Sequence, residues 1–271
     1  MSDDLLQAVQ DYVEENIGSF HEKRLATVRN RNLDDVLKRK NPYLFRAKNQ
    51  TVIQLVYGIM DAFLSSQEET LFGDFLEGVA TFVANTVFDA RKPSVDELRG
   101  IDLVLGKQDK TYVVEIKSGP NWGNYSQVQR MLTHFKEAAE ILQPQFSAQG
   151  IVAVNGCMYG KDRKPHKTGR LKAAGRPDEV VPYWKLCGQD FWYFISNNKE
   201  LYTDIIQPLG YRSKQRNGEF LEAYDNFINN LVYEFLSKYR NPDGSVAWEQ
   251  LTRFVSKSDA PETVENLESG R

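Results

Sequence analysis

Apolar positions recur along this chain with two different periods, which separate helical from extended segments. Helical spacing predicts amphipathic helices over residues 3–17, 20–40, 50–65, 67–87, 126–142 and 217–240. Ser65 or Ser66 is expected to cap the fourth of these, because Glu68 and Glu69 follow at the distance of a capping box. Residues 188–210 are predicted to be helical in two pieces.

The extended segments are short apolar runs. Two of them, 101–106 and 111–117, flank a polar turn and predict a hairpin. The run at 150–158 predicts a buried strand and 183–186 a shorter one, with 160–182 between them as a loop.

This order of elements predicts one compact α/β domain over residues 1–256, with a helical N-terminal region over about 1–65. Residues 257–271 contain almost no apolar side chains, so they are expected to form a disordered tail.

Composition narrows the class of protein. With 41% hydrophobic and 26% charged residues, the 271-residue chain can bury a full core, and no run approaches the roughly 18 apolar residues of a membrane span. The acidic N-terminus is unlike a signal peptide, and two cysteines fit a reduced compartment, so we expect a cytoplasmic protein without a membrane partner. The net charge of −3 disfavours a general nucleic-acid binder, yet residues 161–176 carry seven Lys or Arg against one Asp.

Charged residues stand at the ends of both hairpin strands. Asp102 opens the first strand, and Glu115 and Lys117 close the second with their side chains on one face. Neighbouring carboxylates repel each other, and Mg²⁺, for which Mn²⁺ would substitute, removes that repulsion. The pattern therefore predicts a magnesium site that hydrolyses phosphodiesters. Lys117 would stabilise the developing charge, or position and deprotonate the attacking water.

A structural alternative exists for the same residues. Asp102 would then cap a turn, while Glu115 and Lys117 would form a solvated ion pair at a strand edge. The apolar residues around them indicate a sheet buried on both faces, where charges are costly unless function retains them.

The spacing from Asp102 to Glu115-Ile116-Lys117 resembles the PD-(D/E)XK nuclease superfamily, and most closely its type II restriction endonucleases. The order helix, hairpin, helix, strand over about 67–156 is similar to the common core of that superfamily. The similarity extends to "NPYLFRAKN", "SSQEETLFGDFLEG", "EIKSGPNWGN" and "CGQDFWYFIS", although Ile101 stands where the motif has proline.

The resemblance implies a restriction-endonuclease-like α/β fold, a mixed central sheet flanked by helices with additional N- and C-terminal helices. It also implies a further acidic residue on the helix before the hairpin, for which Glu77 is the first candidate; Glu68, Glu69 and Asp74 are weaker ones, and Glu77 as a plain surface residue is the alternative. The predicted metal ligands are then Asp102, Glu115, Ile116 and Glu77.

Residues after Lys117 are placed beside the scissile phosphate, where polar side chains can bind phosphates or base edges. Trp122 would pack against a sugar or base, with the filling of a gap in the core as the alternative. The basic segment would follow the DNA backbone, with a solvated loop as the alternative. The predicted DNA-binding residues are Ser118, Asn121, Trp122, Asn124, Gln129, Lys161, Arg163, Lys164, Lys167 and Arg170.

The function predicted from these observations is that of a type II restriction endonuclease. It would cut both strands of double-stranded DNA at a short specific site, as a homodimer whose two-fold axis matches a palindrome, beside a cognate DNA methyltransferase and without a nucleotide cofactor. One alternative is a nuclease of the same fold for repair, recombination or defence; another is a DNA-binding module whose nuclease site is spent. A zinc site at Cys157, His166 and Cys187 has little support, since the spacing matches no standard finger.

Overall fold

A computed structural model of the chain describes residues 2–38, 40–48, 51–143, 150–172 and 177–257. The chain divides into two compact units. We call Met1–Phe20 with Phe72–Ser213 the sheet unit, and His21–Leu71 with Lys214–Arg271 the helical unit. That residues 1–256 fold as a single domain remains a prediction. The predicted tail, 257–271, lies outside the described residues from position 258 onward.

The sheet unit contains a five-stranded mixed sheet with the order β1-β2-β3-β5-β4. Its strands are β1 Leu103–Lys107, β2 Lys110–Lys117, β3 Ile151–Cys157, β4 His166–Leu171 and β5 Glu179–Cys187. The β1–β2 and β4–β5 pairs are antiparallel, whereas β2–β3 and β3–β5 are parallel. Because parallel neighbours need a crossover, a helix lies between β2 and β3 in the chain.

The helices surround this sheet or form the second unit. They are α1 Ser2–Arg29, α2 Leu33–Leu37, α3 Pro42–Ala47, α4 Val52–Phe88, α5 Tyr125–Leu142, α6 Gln189–Ser196, α7 Leu201–Asp204, α8 Ile206–Leu209, α9 Ser213–Tyr239 and α10 Trp248–Ser256. Both α1 and α4 contribute residues to both units.

Two hydrophobic clusters cover the two faces of the sheet. Successive residues of β2 point to opposite faces, so Val114 packs in one cluster and Val113 in the other. The first cluster draws on α1, α4 and α6, and the second is built around α5 with Met131 and Phe135. A mixed sheet buried between helices is the α/β restriction-endonuclease-like fold that the sequence predicts.

The helical unit has a core of its own. Residues of α2, α3, α9 and α10 pack there with the parts of α1 and α4 that belong to this unit. The side chain of Asn41 accepts hydrogen bonds from two backbone N–H groups at the start of α3, and Pro42 takes the first position of that helix.

Two predicted helix boundaries are wrong. The segments 3–17 and 20–40 share the continuous helix α1 to Arg29, with α2 as a separate short helix. The segments 50–65 and 67–87 form one helix of 37 residues. The capping box stands at its start instead, where Thr51 and Gln54 exchange side-chain and backbone hydrogen bonds of 3.1 and 3.4 Å. Helix α4 is apolar and long enough to cross a membrane, a test that core helices also pass, and its Leu55 and Val83 are buried in the two cores.

The remaining differences lie in the second half of the chain. The predicted loop 160–182 contains β4 and the start of β5, and the predicted strand 183–186 belongs to the longer β5. Residues 188–210 contain three short helices instead of two pieces, and α10 was not predicted. The hairpin, α5, β3 and α9 agree with the predictions to within a few residues.

Candidate active site

The carboxylate of Asp102 is fixed against the backbone of β2. Strand β1 begins one residue after Asp102, where Leu103 pairs with Val114, the neighbour of Glu115. The backbone N–H of Asp102 donates to the Val114 carbonyl (2.9 Å), and Oδ2 of Asp102 accepts the N–H of Ile116 (2.7 Å). The hairpin therefore brings Asp102 within electrostatic reach of Glu115, the other predicted catalytic carboxylate.

The carboxylate of Glu115 lies inside the protein, facing α5. Its side chain is 8% exposed, and its oxygens contact Lys117 Nζ at 2.7 Å and His134 Nδ1 at 3.3 Å. Strand β2 lies between β1 and β3 in the sheet. Glu115 and Lys117 are therefore not a solvated pair at a strand edge, which contradicts that part of the structural alternative.

Negative charge at Asp102 is unfavourable in this setting. Burial raises the pKa of Asp102 to about 6, with a further contribution from the repulsion of Glu77 and a smaller one from Glu115. The N–H of Ile116 and the ammonium of Lys117 act in the opposite direction and do not cancel these effects. Such a carboxylate is stabilised by added positive charge, as a divalent cation supplies.

Glu77 lies on α4, within electrostatic reach of Asp102. Its side chain is 25% exposed, and Oε1 accepts a hydrogen bond from Lys92 Nζ at 2.6 Å. This bond raises the pKa of Lys92, with smaller contributions from the charges of Asp102 and Asp74. Lys92 is thus the cation paired with Glu77, and it lies near the negative charges of Asp74 and Asp102.

The residues fit a magnesium ion by their chemistry. No group of three or more His, Cys, Asp or Glu side chains in the described part of the chain is arranged to hold a metal. Mg²⁺ needs only one or two carboxylates, because it keeps several waters and accepts phosphate oxygens. Asp102 and Glu115 supply two carboxylates. The Ile116 carbonyl points to the same strand edge as the N–H that binds Asp102, beyond the last paired residue of β1.

The loop after Lys117 has fewer free polar groups than its sequence indicates. Asn124 is the N-cap of α5, where it forms a capping box with Gln127. Trp122 Nε1 donates to Asn155 Oδ1 at 3.0 Å. Ser118 is partly buried against α4, where a Cβ at position 73 would lie 3.0 Å from its Oγ, whereas Asn121 is exposed.

Of the predicted phosphate contacts farther along, two are engaged within the protein. Gln129 binds both the Arg170 carbonyl and the Lys172 N–H, at 2.8 and 2.9 Å, and so ties α5 to β4. Lys167 pairs with Asp162 at 2.8 Å. The side chains of the other four predicted cations are exposed, and these are Lys161, Arg163, Lys164 and Arg170.

The structure does not support a zinc site. Cys157 and Cys187 are buried partners across β3 and β5, but His166 is paired with Trp184 and packs edge-on against its ring. In the described residues, the three side chains thus form no ligand set.

Sequence reasoning missed three residues that contact the site. His134 reaches Glu115 because Gly100 stands beside it with φ of +71°; a Cβ at position 100 would lie 1.9 Å from Nδ1. Asn155, on β3, donates from Nδ2 to the Glu115 carbonyl at 3.3 Å. The third is Lys92. For His134 and Asn155 the available signal was a polar residue within an apolar segment.

Comparison with known proteins agrees with this geometry. The family model of the type II restriction endonuclease EcoO109I matches residues 7–217, which include the hairpin with its acidic residues and all five strands. No curated protein matches the chain. Because the match spans more than half of its length, the chain belongs to the EcoO109I family of type II restriction endonucleases.

Proposed function

We propose that this restriction endonuclease hydrolyses phosphodiester bonds in both strands of double-stranded DNA at a short specific site, and that Mg²⁺ is its cofactor, with Mn²⁺ as a substitute. The observation that carries the proposal is the buried Glu115 carboxylate, which lies within electrostatic reach of Asp102 and 2.7 Å from Lys117 Nζ. Burying these charges together costs desolvation free energy. Proteins commonly retain such a cost at a catalytic centre, where the charges are needed for the reaction.

Each residue has a role in this mechanism. Asp102, Glu115 and the Ile116 carbonyl would hold the metal; Glu77, which forms no three-residue ligand group with them among the described residues, would add negative charge near Asp102. When bound, Mg²⁺ supplies a Lewis acid beside the scissile phosphate. Lys117, held beside Glu115, stabilises the negative charge that develops on the phosphate, or positions and deprotonates the attacking water. His134 restrains the Glu115 carboxylate from the side of α5.

DNA binding would use the loop after β2 and the basic segment. The exposed cations Lys161, Arg163, Lys164 and Arg170 are proposed to contact phosphates, and Asn121 a phosphate or base edge. A homodimer is the simplest assembly that cuts both strands of a palindrome. A cytoplasmic location and a cognate methyltransferase, which would protect the host DNA, complete the proposal.

Digestion of a sequenced phage DNA tests the function. With Mg²⁺ we expect discrete fragments whose mapped ends share one short sequence, and no fragments in excess EDTA. Calcium should support binding without efficient cutting. Random degradation would favour a repair or defence nuclease, binding without cleavage would favour a spent nuclease site, and undiminished cutting in EDTA would exclude the metal mechanism.

A further inference from the structure

The indole ring of Trp122 lies over the predicted catalytic lysine. Lys117 Nζ is 5.2 Å from the centroid of the Trp122 ring, within the range of a cation–π interaction. The same ammonium contacts Glu115 Oε1 at 2.7 Å. Lys117 is therefore held by a carboxylate and by an aromatic ring.

Trp122 is in turn fixed by Asn155. The indole Nε1–H donates to Asn155 Oδ1 at 3.0 Å, which satisfies the polar end of a partly buried ring. Four residues of loop separate Trp122 from the end of β2, so this hydrogen bond ties the loop back to the sheet.

Asn155 is a polar residue in the interior of a parallel sheet. It is 1% exposed, and β3 places it in register with Glu115. Its Nδ2 donates to the Glu115 carbonyl, and its Oδ1 accepts from Trp122 and, more weakly, from the Cys157 thiol at 3.8 Å. Buried amides are retained when their hydrogen bonds are satisfied, as they are here.

We propose that Trp122 and Asn155 are positioning residues that hold the Lys117 ammonium at the reacting phosphate. The inference rests on the proposed function of Lys117. A lysine side chain has several rotatable bonds and loses considerable conformational freedom when it is ordered. A ring anchored to the neighbouring strand orders Lys117 before DNA binds. The entropic cost of ordering this side chain therefore does not add to the barrier of the chemical step.

This role differs from the predicted contact of Trp122 with a sugar or base. The N–H of the indole is already bonded to Asn155, and its ring lies over the lysine. Trp122 would therefore act on the reaction through Lys117, and its removal should slow cleavage more than it weakens DNA binding.

The first experiment measures Lys117 in the metal-free protein, without reference to activity. The rate of acetylation is followed for individual lysines by peptide mass spectrometry, with Lys136 as the internal reference. Trp122→Ala should raise the rate at Lys117 several-fold. Trp122→Phe, which keeps a ring but loses the hydrogen bond, and Asn155→Ala should give smaller increases.

The matched control is Trp184→Ala, which removes a partly buried tryptophan from β5 that packs on Tyr112 and His166. It should leave the relative rate at Lys117 unchanged. An unchanged rate in folded Trp122→Ala would overturn the proposal. If that variant melts below the assay temperature, Trp122→Phe decides the question by the same measure.

The second experiment separates chemistry from binding. Single-turnover cleavage by Trp122→Ala should fall by about 10-fold to 100-fold, as expected for a misplaced catalytic group. DNA binding in calcium should change by less than about threefold, and Trp122→Phe should recover part of the rate. Parallel losses of binding and cleavage would instead make Trp122 a DNA contact. If the wild-type protein cuts no DNA, the proposed function fails, while the acetylation rates still test how Lys117 is held.

Discussion

The two compact units bury different kinds of side chain. The core of the helical unit consists of apolar residues such as Leu55, Met60, Leu231 and Phe235. The buried polar or charged residues of the described chain are Thr111, Glu115, Asn155 and Ser196, and all four lie in the sheet unit.

Part of this difference lies at the candidate active site. Two of the four, Glu115 and Asn155, are joined by a hydrogen bond at the candidate site. Burying a carboxylate costs free energy that an apolar side chain of similar size would not. The sheet unit bears this cost at the candidate active site, whereas the described core of the helical unit is apolar.

The largest expected effect tests the functional side of the comparison. Asp102→Asn, Glu115→Gln and Lys117→Ala should each reduce cleavage by about 10²-fold to 10⁴-fold or more, because each removes a proposed metal ligand or the proposed catalytic cation. Melting temperatures should stay the same or rise in the carboxylate variants, where an unfavourable buried charge is lost, but should fall in Lys117→Ala, where the buried Glu115 carboxylate loses its ammonium partner. Cleavage, DNA binding and thermal melting are measured on the same samples.

Binding supplies the internal control for these three variants. Metal-free DNA binding should persist in Asp102→Asn and Glu115→Gln, or tighten, since a negative charge near the phosphate is gone. Lys117→Ala should not tighten it. Cleavage at the wild-type rate by any of the three would remove that residue from the active site.

A substitution in the helical core should show the opposite behaviour. Phe235→Ala removes a fully buried ring of α9 and should lower the free energy of unfolding by about 3–5 kcal/mol. Cleavage per folded molecule should be unchanged at low temperature. Urea unfolding and cleavage assays check both statements, and Tyr233→Ala, at a 75% exposed position of the same helix, should cost less than about 0.5 kcal/mol. A specific loss of cleavage in folded Phe235→Ala would break the division between the two units.

The basic segment around β4 allows a test within the sheet unit, because its cations are proposed to bind phosphates without taking part in catalysis. Alanine at Lys164, Lys167 and Arg170 should flatten the dependence of log K on log salt by about one unit for each lost phosphate contact. Lys167 is paired with Asp162, so Lys167→Ala alone should change the slope less than Lys164→Ala. Binding titrations over a range of salt concentrations measure the slopes. An unchanged slope in the triple variant would make this segment a solvated surface.

The smallest effect concerns the cation that neutralises Glu77. Lys92→Met removes the cationic partner of Glu77 and leaves more net negative charge around Glu77 and Asp102. Mn²⁺ or Ca²⁺ should therefore bind the DNA-free protein more tightly. An exposed ion pair contributes about 0.2–1 kcal/mol, which corresponds to an affinity change of about 1.5-fold to fivefold. Titration calorimetry measures it. Lys136→Met, which breaks the exposed pair with Glu179 elsewhere in the same unit, is the control and should leave metal affinity unchanged.

Much of the site follows from local sequence, because the partners are close in the chain. Asp102 directly precedes the first strand of the hairpin and Glu115 lies on the second, and the pairing of Leu103 with Val114 is enough to bring them near each other. Alternation then places Lys117 on the face of Glu115. The apolar run of β3 and the periodicity of α5 are equally local, and the structure confirms both.

Local signals failed where packing decided the outcome. Ser65 and Ser66 have the sequence of a helix start, yet α4 continues through them, because its residues on either side are buried in two different cores. Strand β4 alternates exposed and half-buried positions at a sheet edge, and its basic, glycine-containing sequence has no apolar period to reveal it.

The sequence by itself determined the hairpin, its acidic pair and its lysine, since these depend on register and alternation over a few residues. Only the tertiary structure decided what surrounds them. His134 reaches Glu115 when α5 packs on the sheet against Gly100, and Asn155 meets Trp122 when β3 pairs in parallel with β2. These contacts join segments separated by a crossover, and no period within one segment encodes them.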